Sequence, residues 1–248
     1  MLLLGPMNRR HPAPHSSNNS TGALERVLSS YGGLSEVDMA WLRARVGDAP
    51  VMHPVGMDLT PEVCRKTVLL VCQGWVAQGA VLNDGRRQII SVHLAGDFLR
   101  APERNPGDVS IWTLTLASTI EAGDVWTDLE KGTCPSPALR QAWASLRAAE
   151  RGSVAQHIVR LGRLSAYERS AHFFLELHEK QLRNGLGTAG AILLPLSQDV
   201  LADLLGLSAV HVNRTLQQLR RDGLIAYGDG RVLLPDLTGL ARAACISP

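Results

Sequence analysis

Residues 194–224, LPLSQDVLADLLGLSAVHVNRTLQQLRRDGL, read as two short helices joined by a tight turn. Ser197 stands where an N-cap belongs, and Val200, Leu201, Leu204 and Leu205 recur behind it at helical spacing. Gly206 then closes the first helix, since a residue without a Cβ readily takes the positive φ found just past a C-terminus. Ser208 is placed to cap a second helix whose apolar residues Val212, Leu216 and Leu219 share a face. Ala202 is small where two helices would cross closely. This is the spacing of a helix-turn-helix, the motif that lays its second helix in the DNA major groove. Asp222-Gly223 ends that helix, and residues 224–227 and 231–234 follow as a hairpin about Gly228-Asp229-Gly230, the mark of a winged version. The same apolar pattern also fits an ordinary helical hairpin in a core.

Composition sets the frame without choosing between those readings. The 248 residues are 45% hydrophobic and 19% charged, enough apolar material for one large or two smaller globular domains. Net charge is +2, so no basic excess points to nucleic acid. Around the two helices Arg214, Arg220, Arg221 and Arg231 are offset by Asp199, Asp203, Asp222 and Asp229. Binding would therefore depend on which way these charges face. Cys64, Cys72, Cys134 and Cys245 show no CxxC and no ligand-like spacing. A disulfide framework or clustered metal is not expected; reduced, mostly buried thiols are. Residues 1–20, rich in Pro, Asn and Ser, read as a disordered tail whose opening Leu run is too short for a signal peptide. No segment has the length to span a bilayer, so a cytoplasmic protein with no membrane contact is expected.

The remaining chain is read in order. Residues 22–31 and 35–46 predict two helices, the second capped by Ser35. Short strands follow from residue 51 to 125, with a hairpin turn at Asn83-Asp84-Gly85 and another turn at Gly96-Asp97-Phe98, suggesting a small barrel or roll. Pro135-Ser136 opens a long helix running to about Leu161. Its apolar stripe is Leu139, Trp143, Leu146, Val154, Ile158 and Leu161, with Arg140, Arg147, Glu150, Arg151 and Arg160 expected to be exposed. Ser165-Ala166-Tyr167-Glu168 is a capping box for a further helix ending near Arg183.

From residue 161 to 234 the chain resembles the C-terminal half of the Crp/Fnr family of bacterial transcription regulators. The segments LGRLSAYERSAHFFLEL, LPLSQDVLADLLGLS and VHVNRTLQQLRRDGLI carry the resemblance, together with the wing. It extends back to about Leu34, where GWVAQGAVLNDGRRQIISVHLAGDFL is similar to the central hairpins of the family's cyclic-nucleotide-binding-like domain. The resemblance implies an α+β fold: an N-terminal β-roll, a double-stranded β-helix of jelly-roll type, then a long dimerisation helix and a C-terminal winged helix-turn-helix. The implied divisions are a tail over 1–20, a sensor domain over 21–134, the dimerisation helix over 135–163 and the DNA-binding domain over 164–248. Implied partners are double-stranded DNA, a second copy of the chain, RNA polymerase and a small-molecule effector of unknown identity. On the family's recognition helix Arg214 falls at the base-reading arginine, Val210 where many members have a glutamate, and Ala209 where some have an arginine. Val212 and Leu216 must face inward, which leaves His211, Asn213 and Gln217 on the DNA side, while Ser208 suits a phosphate. The expected DNA-binding set is therefore Ser197, Ser208, Ala209, Val210, His211, Asn213, Arg214 and Gln217.

The sequence departs from the family at the effector site. Nucleotide-binding members carry a Gly-Glu pair and an Arg-x-Ala motif after the Gly-Asp-Phe turn. Here LRAPERNPGDVSIWTLTLAS offers Arg100 and Arg104, but no Gly-Glu follows Phe98 and no Arg-x-Ala follows Asp108. A cyclic phosphate needs a paired arginine and converging N–H groups. Iron–sulfur members have a cysteine cluster near the N-terminus, and no cysteine precedes Cys64 here. No cofactor is expected. An alternative function remains: a ligand-, haem- or redox-sensing protein whose DNA binding is secondary or lost, with His93 as a candidate ligand.

Other signals fail their context. Gly185, Gly187 and Gly190 match G-x-G-x-x-G, but the stretch follows a helix and precedes the apolar piece Ala191 to Leu194, the reverse of the strand-before, helix-after order the fingerprint needs. His172 and His178 could share a helix without a third metal ligand in sequence. No nucleophile elbow or paired carboxylates are present, so an enzyme has no residues to rest on.

Overall fold

The computed structural model describes residues 21–47, 49–65, 68–101, 109–228 and 231–245. The tail over 1–20, Arg104, Asp108 and the Asp229-Gly230 turn lie outside them. Helices α1 (Gly22–Ser29) and α2 (Glu36–Arg43) lead the chain. Ser35 caps α2 in a reciprocal box: its Oγ accepts from the Asp38 N–H at 3.2 Å, and its own N–H donates to the Asp38 carboxylate at 3.0 Å.

The roll is built from β1 (Val51–His53), the short helix α3 (Thr60–Cys64), and β2 (Leu69–Gln73), β3 (Val76–Val81), β4 (Arg87–His93), β5 (Phe98–Leu99), β6 (Ser110–Thr113) and β7 (Ala117–Glu121). Its two antiparallel sheets have the orders β1-β7-β2-β5 and β4-β3-β6. Leu59, Val63, Leu69, Val71, Val76, Leu99, Ile111 and Ala117 fill one core within them. Gly96 shows why the turn before β5 needs glycine. Its φ is +96°, and a Cβ there would lie 2.8 Å from the carbonyl oxygen of Ala23 in α1.

Helix α4 (Gly123–Lys131) leads to the 27-residue helix α5 (Pro137–Arg163). Ser136 caps α5 by accepting from the Leu139 N–H at 3.1 Å, with Pro137 in the first turn. The predicted stripe on α5 divides in two. Leu139, Trp143 and Leu146 are buried against the chain's own roll, where Trp143, Trp126 and Phe98 meet edge to face with centroids 5.0–5.6 Å apart. Val154 and Ile158 stay 44% and 67% exposed. Three charge placements are corrected: Arg160 is buried at 3% exposure, and Arg147 and Glu150 are half-buried. Arg160 turns inward because Glu176 of the next helix pairs with it.

That helix, α6 (Ala166–Arg183), starts at the predicted capping box on Ser165 and Glu168. Then come β8 (Ala191–Leu193), α7 (Gln198–Leu205), α8 (Ala209–Arg221), β9 (Ala226–Gly228), β10 (Arg231–Leu233) and α9 (Leu237–Ala243). The wing is a three-stranded antiparallel sheet, β8-β10-β9, because the apolar piece before α7 returns to pair with the hairpin.

One apolar core runs from the roll into these last elements. Trp75, Ala77, Ile89 and Leu94 join Phe173, Phe174, Leu177, Leu201, Leu205 and Leu216. Polar contacts border it. Lys180 of α6 donates to the Asp97 carboxylate at 2.7 Å and to the Val92 carbonyl at 2.8 Å, and Asn184 donates to the Ala95 carbonyl at 2.9 Å. Burial works against the Asp97 charge, but Lys180 and His93 outweigh it and lower its pKa. The mixed α+β architecture is thus the one expected from the sequence. The cysteines differ from expectation: Cys134 alone of the four is buried, and Cys245 is exposed.

Candidate nucleic-acid interface

Helices α7 and α8 are set by local chemistry that the sequence announces. Ser197 Oγ accepts from the Val200 N–H at 3.2 Å and Ser208 Oγ from the His211 N–H at 3.3 Å, so each helix starts at a serine. Gly206 ends α7 at φ +62°, and the Leu207 N–H donates back to the Ala202 carbonyl at 3.0 Å. Leu201, Ala202, Leu204 and Leu205 then meet Val212, Leu216 and Leu219 in the shared core. Once α8 is fixed by these residues, its other face is determined.

That outer face carries Ser208, His211, Arg214, Gln217, Arg220 and Arg221, all exposed, and Val210 beside them is 81% exposed. The remaining residues of the expected set sit differently. Ala209 is half-buried against the core, and Ser197 is exposed at the start of α7, one helix away. Asn213 is half-buried between the helices: its Nδ2 donates to Gln198 Oε1 at 3.2 Å, and its Oδ1 accepts from Gln217 Nε2 at 2.8 Å. Gln198, absent from the expected set, thus belongs to the same polar chain. Its presence in the first turn of α7 has no signature in sequence.

The charges around this face sort by orientation. Asp203 is paired with Arg87 of the roll at 2.8 Å. Asp222 accepts from the Tyr167 hydroxyl at 2.6 Å and from Gln218 at 2.8 Å. Burial, then the hydrogen bond and charge of Asp222, push the Tyr167 hydroxyl up to about 12, so it remains a donor. With Asp203 paired to Arg87, the exposed Arg214, Arg220 and Arg221 outnumber the Asp222 carboxylate at the end of the helix and leave the outer face of α8 net cationic. Arg220 also lies over the Tyr227 ring of the wing, 5.1 Å from its centroid. Sequence reasoning missed Arg169, whose Nη atoms donate to the carbonyls of Leu161 and Leu164 at 3.0 Å and of Leu205 at 2.8 Å. It ties the end of α5 to the end of α7.

The other candidates are structural. His93 Nε2 lies 3.0 Å from Ser91 Oγ and 3.1 Å from Gln78 Oε1, and burial, aided by Lys180, pushes its pKa down to about 4. His178 Nε2 accepts from the Gly190 N–H at 3.2 Å inside the glycine loop between α6 and β8. Arg100 stacks over Trp126 at 5.0 Å. Among the described residues no group of three or more His, Cys, Asp or Glu could hold a metal ion, and no helix is long and apolar enough to cross a membrane.

Residues 168–243 match the pattern of a Crp-like helix-turn-helix domain. The chain is 32% identical over 169 residues to the nitrogen fixation regulation protein FixK of Bradyrhizobium diazoefficiens, covering 67% of this chain and 69% of that one. It is 27% identical over 183 residues to the transcriptional activator protein FnrL of Cereibacter sphaeroides, covering 71% and 72%. The structure of FixK2 from Bradyrhizobium japonicum superposes with a TM-score of 0.64 at 24% identity, covering 81% of this chain and 98% of that one. On the exposed cationic face of α8 and these similarities together, the chain belongs to the Crp/Fnr family of DNA-binding transcription regulators, which are not enzymes.

Proposed function

We propose that the protein works in the cytoplasm as a homodimer that reads a pseudo-palindromic DNA site with two copies of α8. The copies would enter major grooves about one helical turn apart. Residues 21–134 form the sensor-like domain, 135–163 the dimerisation helix and 164–248 the DNA-binding domain. The base-reading group centres on Arg214, with Val210, His211 and Gln217 beside it and Ala209 at the helix start. Ser208 and Ser197 address phosphates, and Asn213 positions Gln217. RNA polymerase and a small-molecule effector acting on the roll complete the expected partners.

The observation that carries the reading is a pair of exposed faces on one chain. The outer face of α8 is cationic and open, while Val154, Ile158 and Val159 expose apolar surface on the far half of α5. Leu146 packs on the chain's own roll, so a substitution there would test folding and not association. Ile158→Glu and Val154→Glu are the informative variants. Sedimentation should find wild type dimeric at micromolar concentration and both variants monomeric, with much weaker binding to a palindromic duplex. A wild-type monomer that still binds such a duplex tightly would sink the dimer.

A further inference from the structure

The polar chain that crosses from α7 to α8 ends on the outer face of α8. Gln198 belongs to the first turn of α7, whose start Ser197 fixes by accepting from the Val200 N–H. Gln198 Oε1 accepts from Asn213 Nδ2 at 3.2 Å, and Asn213 Oδ1 accepts in turn from Gln217 Nε2 at 2.8 Å. Both ends of the Asn213 amide are thereby engaged, and the residue is half-buried between the helices. Gln217 is exposed, and its carbonyl oxygen makes no hydrogen bond among the described residues.

An unattached surface glutamine turns its amide freely and meets donors and acceptors alike. Here one Nε2–H is spent on Asn213, and the polarity of that bond is set from α7. What remains is one N–H donor and one carbonyl acceptor on the same amide. Of the base edges in the major groove, adenine alone places an acceptor, N7, beside a donor, the N6 amino group. Guanine presents two acceptors, which a single remaining N–H cannot both meet. Cytosine and thymine would each engage only one of the two groups. Gln217 follows Arg214 by three residues, about 4.5 Å along the helix axis, so its base lies close to the guanine assigned to Arg214.

We propose that Gln217 selects adenine, with Asn213 and Gln198 as positioning residues that hold its amide in the matching orientation. The inference rests on the reading of α8 as the helix that enters the major groove, and it names a second base for that helix. It also assigns Asn213 a place behind the reading face, since neither end of its amide is left for DNA.

The test is selection of random duplexes by the full chain, followed by competition binding on the selected site. Wild type should enrich a guanine that depends on Arg214 and, close to it, an adenine. Replacing that adenine by guanine should weaken binding about 5- to 100-fold per half-site, the range of a bidentate contact. Gln217→Ala, at an exposed position where folding is not at stake, should flatten the preference for adenine and keep the guanine. Asn213→Ala should do the same with Gln217 still present, because the amide is then free to turn. Asn213→Asp is the rescue: it retains an oxygen that accepts from Gln217, so the adenine should persist while the added charge weakens all duplexes alike. A merely structural role for Asn213 would lower affinity for every sequence and leave the motif unchanged. An adenine preference undiminished in Gln217→Ala or in Asn213→Ala, beside an intact guanine preference, would overturn this inference alone. A wild type that enriches no motif would overturn the DNA reading and this inference with it.

Discussion

At the scale of single residues, the proposed reading divides the work of recognition between Arg214 and Ser208. Arg214 extends from the exposed face of α8 with a guanidinium that can donate two hydrogen bonds to guanine O6 and N7. Val210, at 81% exposure, offers apolar contact such as a thymine methyl, where a glutamate would accept from cytosine. Arg214→Ala should cost about 1–3 kcal/mol per half-site and flatten preference at one position. Ser208→Ala should weaken all duplexes alike, since a phosphate contact carries no sequence information. Selection from random duplexes with wild type and both variants reads this directly; an unchanged motif from Arg214→Ala means the recognition face is wrongly assigned. The outward side of α8 was legible because Val212 and Leu216 fix which side faces in. The Gln198–Asn213–Gln217 chain and the Arg169 clamp were not, because both join residues on different helices whose crossing no local pattern describes.

At the scale of elements, serine caps made five helices readable, whereas α1 was legible from its apolar face alone and α9, capped by Asp236, was not read. Serine caps at Ser35, Ser136, Ser165, Ser197 and Ser208 mark five helix starts, each by an oxygen that accepts from a backbone N–H within the first turn. Helices α3 and α4 lack a side-chain cap hydrogen bond and lie in or against the run of short strands, so neither stood out. Strand β8 was equally hidden: three residues long, it gains its partner β10 from beyond two intervening helices. Helix α5 taught the opposite lesson. Its stripe was visible, but a stripe does not say whether it meets its own roll or another chain, and here only its first half packs on the roll while Val154 and Ile158 stay exposed. The turn between α7 and α8 allows a sharper test. Gly206 sits at φ +62°, and a Cβ there would lie 3.1 Å from Leu161 Cδ2. Gly206→Ala should therefore destabilise by about 1–2 kcal/mol through left-handed strain, seen as a lower melting midpoint. An unchanged midpoint would show that the turn relaxes at no cost.

At the scale of the whole molecule, the roll and the DNA-binding elements are joined by an apolar core with titratable groups at its border. His93 sits at that border, its pKa held near 4 against an ordinary 6.5 by burial and by Lys180, while Asp97 pulls the other way. A histidine that stays neutral when folded but charges when unfolded gives stability that is present above about pH 6.5 and lost as pH falls toward 4. His157 acts in the same sense. Urea midpoints should therefore fall between pH 7 and pH 5, and His93→Gln should flatten part of that slope; a midpoint that rises on acidification would refute the assignment. The Asp97–Lys180 pair holds the same junction from the other side. Asp97 is 9% exposed, whereas the Lys180 side chain keeps 28% of its surface in water, so removing the lysine leaves a nearly buried carboxylate without its cation. Lys180→Met should cost about 1–3 kcal/mol, less than the 3–5 typical of a fully buried pair because water still reaches one partner. Asp97→Asn should also destabilise, since Oδ2 accepts from the Leu94 N–H at 2.8 Å as well as from Lys180. The double variant decides what the pair itself contributes. If the two groups couple across the junction, its loss will be smaller than the sum of the single losses by at least about 0.5 kcal/mol. Strict additivity in chemical denaturation would mean that the Asp97–Lys180 pair adds nothing of its own to the junction between the roll and the C-terminal helices.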